Sequence, residues 1–366
     1  MASKARQLAQ SASAPEGRKN VIINGDMKIA QRGSQTGQTG VAMAACDRWI
    51  VAEAGDTIVD TSQSTDVPSG QGFANSLKVD VTNPDASLAA DDFFLIIQRL
   101  EGQDVQHFRY GSSSARDITV SFWVKSPKTG THILEIRQNT STVFSSQAYT
   151  IASANTWQKV ELTFSGYTIA AIADDNAHGW SLNWFLAAGS TYSSGTLNSN
   201  TWHSTQANRA VGQVNAVDSD ANNFYLTGVQ VEVGSVATEF EHRSFAEELA
   251  LCQRYHIRFP SLSDGSTTLY YNVGMIHSST TSFHTINLPV PMRTQPDLSI
   301  SGVNDFTSVD SGTVRNLTNL TIAGDDFIDN QVVLLQGTAT FPNEDRPAAL
   351  RGDGTAGGFL ALDAEL

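Results

Sequence analysis

Six tryptophans, Trp49, Trp123, Trp157, Trp180, Trp184 and Trp202, all fall before residue 203 of a 366-residue chain. A ring that meets solvent can stack on the apolar face of a sugar, while a few side-chain hydrogen bonds orient the hydroxyls. Two of the six have the setting for it. Trp123 has the opposite parity to Ile118, Val120, Phe122 and Val124, so in a strand it points away from them. Trp202 stands in a polar N-S-N-T-W-H-S stretch, with His203 beside it and Tyr192 nearby. Tryptophan in a two-sheet sandwich is usually buried, which assigns Trp49, Trp157, Trp180 and Trp184 to the core and weighs on Trp123 as well. Trp202, Trp123, Tyr192 and His203 are therefore the candidate glycan-binding residues.

Other chemistry is thinner. Asp218, Asp220 and Asn222 alternate as the opening of a calcium loop does, but no glycine follows and Val229 stands where the bidentate glutamate belongs. A solvated turn is the preferred reading there and at Asp174, Asp175 and Asn176, and no cofactor is expected. Eight histidines are scattered without HExxH or HxH spacing. There is no GxSxG elbow, P-loop or dinucleotide fingerprint. Glu239 with Glu241, and Asp325 with Asp326, read as surface charge rather than as an acid and base pair. Arg351-Gly352-Asp353 lies in a glycine-rich turn, and the N-x-S/T sites at Asn139, Asn316 and Asn319 are idle in a bacterial producer. Cys46 and Cys252 form no metal or disulfide pattern and are expected as buried free thiols. The residue inventory favours binding over catalysis.

The elements that must position these residues are strands. Leu77, Val79 and Val81 alternate with polar residues, as do Ile118 to Val124 and Val160 to Phe164, while Trp180, Leu182, Trp184 and Leu186 share a parity. FFLIIQRL at 93–100 is a continuous apolar run suited to a strand covered on both faces. From Phe224 to Val233 the parity shifts at Gly228, which predicts a bulge. Ser244 and Glu247 then form an S-x-x-E capping box that opens a helix. Phe245, Leu249, Cys252 and His256 give that helix a mostly apolar stripe, to be buried either at a junction between modules or on a three-fold axis. Shorter strands follow, among them Leu269 to Met275, Ile286 to Val290 and Val332 to Leu335.

Charged residues make up only 16% of the chain and the net charge is −14. That balance argues against nucleic acid and against insertion in an anionic membrane. Residues 1–32 depart from it: Lys4, Arg6, Arg18, Lys19, Lys28 and Arg32 face only Glu16 and Asp26. With Leu8 among its few apolar residues, this leader is expected to dock elsewhere, Lys4, Arg6, Leu8, Arg18 and Lys19 carrying the contact. It has no apolar signal-peptide core, so export by the general secretory route is not expected.

Taken together, certain segments carry a resemblance: NVIINGDMKIAQRG at 20–33, CDRW at 46–49, QRLEG at 98–102, TVSFWVKS at 119–126, NTWQKV at 155–160, FYLTGVQVEVG at 224–234 and TEFEHRSFAEELALCQRY at 238–255. The chain resembles bacteriophage tail-fibre or other virion surface proteins that carry a jelly-roll domain like that of carbohydrate-binding modules. PVPMRTQP at 289–296 and the terminal LDAEL extend the likeness more weakly. The resemblance implies a virion component made in the host cytoplasm and released by lysis, a homotrimer attached to tail or adaptor proteins through its N-terminal segment, and a host-surface glycan as its ligand. Sugar-binding modules often hold a structural calcium just after N-G, where this chain has Met27, Lys28 and Ile29 instead.

The expected organisation is all-β: a docking segment at 1–19, an antiparallel jelly-roll sandwich at 20–243, a connecting helix at 244–256 and a second, smaller β-sandwich at 257–366. The expected function is a non-enzymatic tail fibre that adsorbs to host glycan. A head-decorating or tail-connecting protein is the structural alternative and a polysaccharide depolymerase the enzymatic one.

Overall fold

A computed structural model describes residues 19–259, 269–310, 312–324, 331–352 and 358–366. The chain divides into two compact units, residues 1–248 with Leu366 and residues 249–365. Each is built from antiparallel strands, as the period-2 alternation predicts. Among the described residues no helix is long and apolar enough to cross a membrane.

The first unit contains β1 (Gln35–Gln38), β2 (Val41–Met43), β3 (Trp49–Ala54), β4 (Ile58–Ser64), β5 (Ser76–Asn83), β6 (Phe93–Glu101), β7 (Ile118–Lys125), β8 (Gly130–Gln138), β9 (Val143–Ile151), β10 (Gln158–Phe164), β11 (His178–Ala188) and β12 (Asn223–Val233). They order into two six-stranded sheets, β1-β4-β5-β12-β7-β10 and β2-β3-β6-β11-β8-β9, which form a β-sandwich. We call them sheet 1 and sheet 2. Alternate residues of both meet in one core, where Trp49, Trp180 and Trp184 have no exposed surface. Trp184 packs against Trp49 at 5.6 Å and edge-on to Phe122 at 5.5 Å. Each such ring contributes about 2–3 kcal/mol by leaving water.

The continuous apolar run is β6, and it is covered on both faces. Phe94, Ile96 and Leu100 enter the main core, while Leu95 and Ile97 join Ile50, Ile133 and Phe185 in a second layer on the outer face of sheet 2, packed with Tyr192, Leu197 and Ala210. In β12 the register against β7 shifts between Thr227 and Gln230. Gly228 takes φ +62 there, so that Phe224 and Leu226 before the bulge and Val229 and Val231 after it all enter the core.

The second unit holds β13 (His256–Phe259), β14 (Leu269–Ser278), β15 (Thr281–Asn287), β16 (Asp297–Ile300), β17 (Phe306–Asp310), β18 (Thr313–Asn316), β19 (Asn319–Ile322), β20 (Val332–Thr338), β21 (Pro347–Gly352) and β22 (Leu360–Asp363). A three-stranded sheet, β13-β22-β16, and a seven-stranded one, β18-β17-β21-β14-β15-β20-β19, share a core around Ile276, Phe306, Leu335 and Leu350.

The helix spans Phe245–Gln253, and the Ser244 hydroxyl accepts the Glu247 N–H at 3.2 Å, one half of the capping box. Its buried stripe differs from the expected one. Phe245 is 61% exposed and His256 belongs to β13, whereas Glu248 and Cys252 are the buried positions of the helix. The reason is electrostatic: Arg243 meets both Glu248 oxygens at 3.2 and 3.3 Å, and the Asn24 N–H donates to one of them at 2.6 Å. That pairing makes a glutamate tolerable inside. Cys46 and Cys252 are both buried, and neither is in a disulfide.

Candidate functional site

The register of sheet 1 decides what its outer face displays. On β7, Trp123 lies opposite Lys159 of β10 and Thr227 of β12, and Lys125 lies opposite Tyr225 of β12, whose other neighbour is Lys78 of β5. The intervening residues Phe122, Val124, Phe224 and Leu226 face the core and are fully or almost fully buried. Trp157, two residues before Lys159, keeps the outward parity. Trp123, Trp157 and Tyr225 are all half-buried, so part of each ring reaches solvent.

The rings are held, not merely exposed. Tyr225 and Trp157 sit 6.1 Å apart, and the Lys125 ammonium lies 4.6 Å from the first ring and 5.7 Å from the second. Asp66 accepts the Trp157 indole N–H at 2.9 Å and pairs with Lys125. Burial raises the Asp66 pKa, but these hydrogen bonds outweigh it and hold the carboxyl below its ordinary value. Lys78 pairs with Asp80 and Lys159 with Glu161, each at 2.8 Å. The charges beside these rings are thus paired, and the apolar patch is framed by donors and acceptors. A pyranose ring offers the matching chemistry, C–H bonds on its face and hydroxyls around its rim.

Neighbouring segments close part of the same face. The Thr238 N–H donates to Glu232 at 2.8 Å and the Glu241 N–H to Gln230 at 2.9 Å, which covers the far end of β12. Phe73 packs edge-on to Phe240 at 5.1 Å. A Cβ on Gly228 would come within 2.6 Å of Phe73 and 3.0 Å of Trp123, so the glycine is what lets these rings lie against the strand.

The four candidates from sequence do not form one site. Trp123 is on the face just described. Trp202 packs against the main core between Tyr167 at 4.9 Å and Tyr110 at 5.6 Å, and its indole N–H donates to the Ser165 carbonyl at 2.7 Å. Tyr192 and His203 belong to the outer side of sheet 2. The Arg209 guanidinium lies 5.5 Å from the Tyr192 ring and 4.2 Å from Phe144, and Phe144 is 6.1 Å from the His203 ring. Trp157, expected in the core, is instead on the outer face of sheet 1. Its odd number relative to Val160 and Phe164 was the signal for that, and Tyr225 carried the same signal relative to Phe224 and Leu226.

At the candidate calcium turn, Asp218 pairs with Lys128 and accepts from Asn222 at 2.7 Å, while Asp220 is exposed. Among the described residues no group of three or more His, Cys, Asp or Glu side chains is placed to hold a metal. In the leader, Lys19 donates its backbone N–H to Glu241 at 3.1 Å and its ammonium to the Glu239 carbonyl at 2.7 Å. Lys4, Arg6, Leu8 and Arg18 lie outside the described residues, as do Asp325, Asp326 and Asp353.

No protein-family model matches the sequence, and no curated protein matches it. Solved structures that the chain is similar to include the enzymatically active domain of tailspike protein 4 from bacteriophage CBA120, at a TM-score of 0.34 and 13% identity over 59% of this chain and 21% of that one. The chain therefore spans about a fifth of that tailspike domain. The family 11 carbohydrate-binding module of a Clostridium thermocellum cellulosomal cellulase gives a TM-score of 0.28 and 13% identity over 55% of this chain and 98% of that one. The N-terminal cellulose-binding domain of β-1,4-glucanase C from Cellulomonas fimi gives 0.28 and 13% over 52% and 90%. These are likenesses at low TM-score, and the functional reading rests on the side chains described above.

Proposed function

We propose that the first unit is a non-catalytic glycan-recognition sandwich whose contact surface is the outer face of sheet 1 around Trp123, Trp157 and Tyr225. One observation carries this reading: three half-exposed aromatic rings on one sheet face, Trp157 and Tyr225 held by Lys125 and Asp66 and Trp123 lying against Gly228, framed by paired lysines and carboxylates. Such rings supply contact area with few torsions to freeze, and the paired charges are ready partners for hydroxyls. Because these charges are paired, the sugar that fits this face is a neutral one. Following the resemblance in sequence, we place the glycan on a host cell surface and the protein on a phage particle as a tail fibre.

Calorimetric titration with neutral oligosaccharides tests the site. Wild type binds, and Trp123→Ala and Trp157→Ala each lose about 10–100-fold in affinity, the scale of an aromatic anchor, with melting temperatures close to wild type. Binding that survives both substitutions would sink the assignment of this face.

A further inference from the structure

The outer side of sheet 2 carries a second arrangement that the outer face of sheet 1 does not use. Across four strands and one bridge, register sets Arg99, Ser181, Arg137, Phe144 and His203 in a single row. The row beside it pairs Asn183 with Glu135 and Glu135 with Ser146. Glu135 is fully buried and fully satisfied: Arg209 grips it through two hydrogen bonds of 2.7 Å each, and Asn183 adds a third at 2.8 Å. With Glu135 neutralised by Arg209, the Arg137 charge is left over.

Arg137 is the half-exposed residue of a strand whose other residues from His132 to Gln138 are all buried. Its guanidinium lies 5.8 Å from the Phe144 ring. Its Nε is buried without a hydrogen-bond partner, and so are the His178 Nε2 and the Ser146 hydroxyl. Buried polar atoms without partners are uncommon, and three on one face set this corner apart from the fully paired Glu135 beside it. Arg99 and Arg48 also act on this corner of the sheet, and the Glu101 carboxylate stands in register with His178. Burial, together with Arg99, Arg137 and Arg48, pushes the His178 pKa down to about 3.

We propose that Arg137, which lies near the Phe144 ring with His178 close by, is a second glycan contact that takes the anionic oxygens of an acidic sugar, either a uronate carboxylate or a sulfate ester. A planar guanidinium with part of its surface in solvent presents paired donors to an oxyanion. This rests on the reading that the unit binds glycan, and it adds a charge requirement that the outer face of sheet 1 lacks. A ligand that spans both contacts is not required.

The test is titration at fixed ionic strength with three oligosaccharides of matched length: neutral glucose, galacturonate and sulfated galactose. The acidic oligomers bind wild type, and Arg137→Gln weakens them tenfold or more while leaving the neutral oligomer unchanged. Arg137→Lys, which keeps the charge but not the paired donors, falls between the two and serves if the Gln variant does not fold. Preference between the galacturonate and sulfated arms tells which oxyanion is the ligand. The proposal is overturned if neither acidic oligomer binds, or if both Arg137 variants bind them as wild type does. If the acidic oligomers bind through Arg137 while the neutral one does not bind at all, the sheet 1 reading fails and this site stands.

Discussion

At the residue scale, the outer face of sheet 1 depends on Trp123, Trp157 and Tyr225 standing out of step with the apolar residues that fill the core. Parity turns Trp123 away from the apolar face of its strand although the habit of tryptophan favours burial, and the ring lies half-buried on the outer face. Trp157 was assigned to the core on the general habit of tryptophan, although its spacing from Val160 and Phe164 already turned it outward. What no spacing could show is that Asp66 and Lys125 come from different elements to hold it. A buried histidine gives a separate prediction. His132 has no exposed surface, its Nε2 lies 3.2 Å from the Lys128 carbonyl, and burial pushes its pKa down to about 4. The unfolded chain takes up that proton near the ordinary histidine value, so the contribution is complete above about pH 6.5 and is lost as pH falls towards the folded value. The first unit should lose about 2 kcal/mol from this group between pH 7 and pH 5. Thermal melts of wild type and His132→Gln across that range check it: the difference in pH slope disappears if His132 is not the source.

At the element scale, β12 and the helix show both sides of what sequence reveals. The parity shift at Gly228 announced a bulge, and the bulge is there, with the left-handed φ that only glycine adopts without strain. Close approach of Phe73 and Trp123 to that glycine was not legible, because it depends on a loop that returns from far away in sequence. Gly228→Ala should therefore cost about 2 kcal/mol or more, from backbone strain and displacement of the two rings, and should weaken neutral-sugar binding as well. Chemical denaturation and titration of the same variant measure the two effects, and a variant as stable as wild type would count against the geometry of the bulge. The helix was found from its capping box, yet its buried stripe was misread. An apolar pattern favoured Phe245 over Glu248, and the partner that permits Glu248 inside, Arg243, acts by charge rather than by period.

At the scale of the whole molecule, strand content and the antiparallel class were legible because alternation is local. The grouping of Tyr192 and His203 around Phe144 and Arg209 was not, since it arises where a long connection folds back over sheet 2. A trimer is carried over from the resemblance to virion proteins, and light scattering on the purified chain should give three times the monomer mass; a monomer mass would remove it. The central claim is that the rings on sheet 1, and not Trp202, meet the sugar. Binding of fluorescently labelled protein to host cells decides it most directly, comparing wild type, the Trp123→Ala/Trp157→Ala double variant and Trp202→Ala. The account predicts that the double variant loses the cell binding that a neutral oligosaccharide competes away, while folded Trp202→Ala keeps it; retention of that binding by the double variant together with its loss in Trp202→Ala would contradict it.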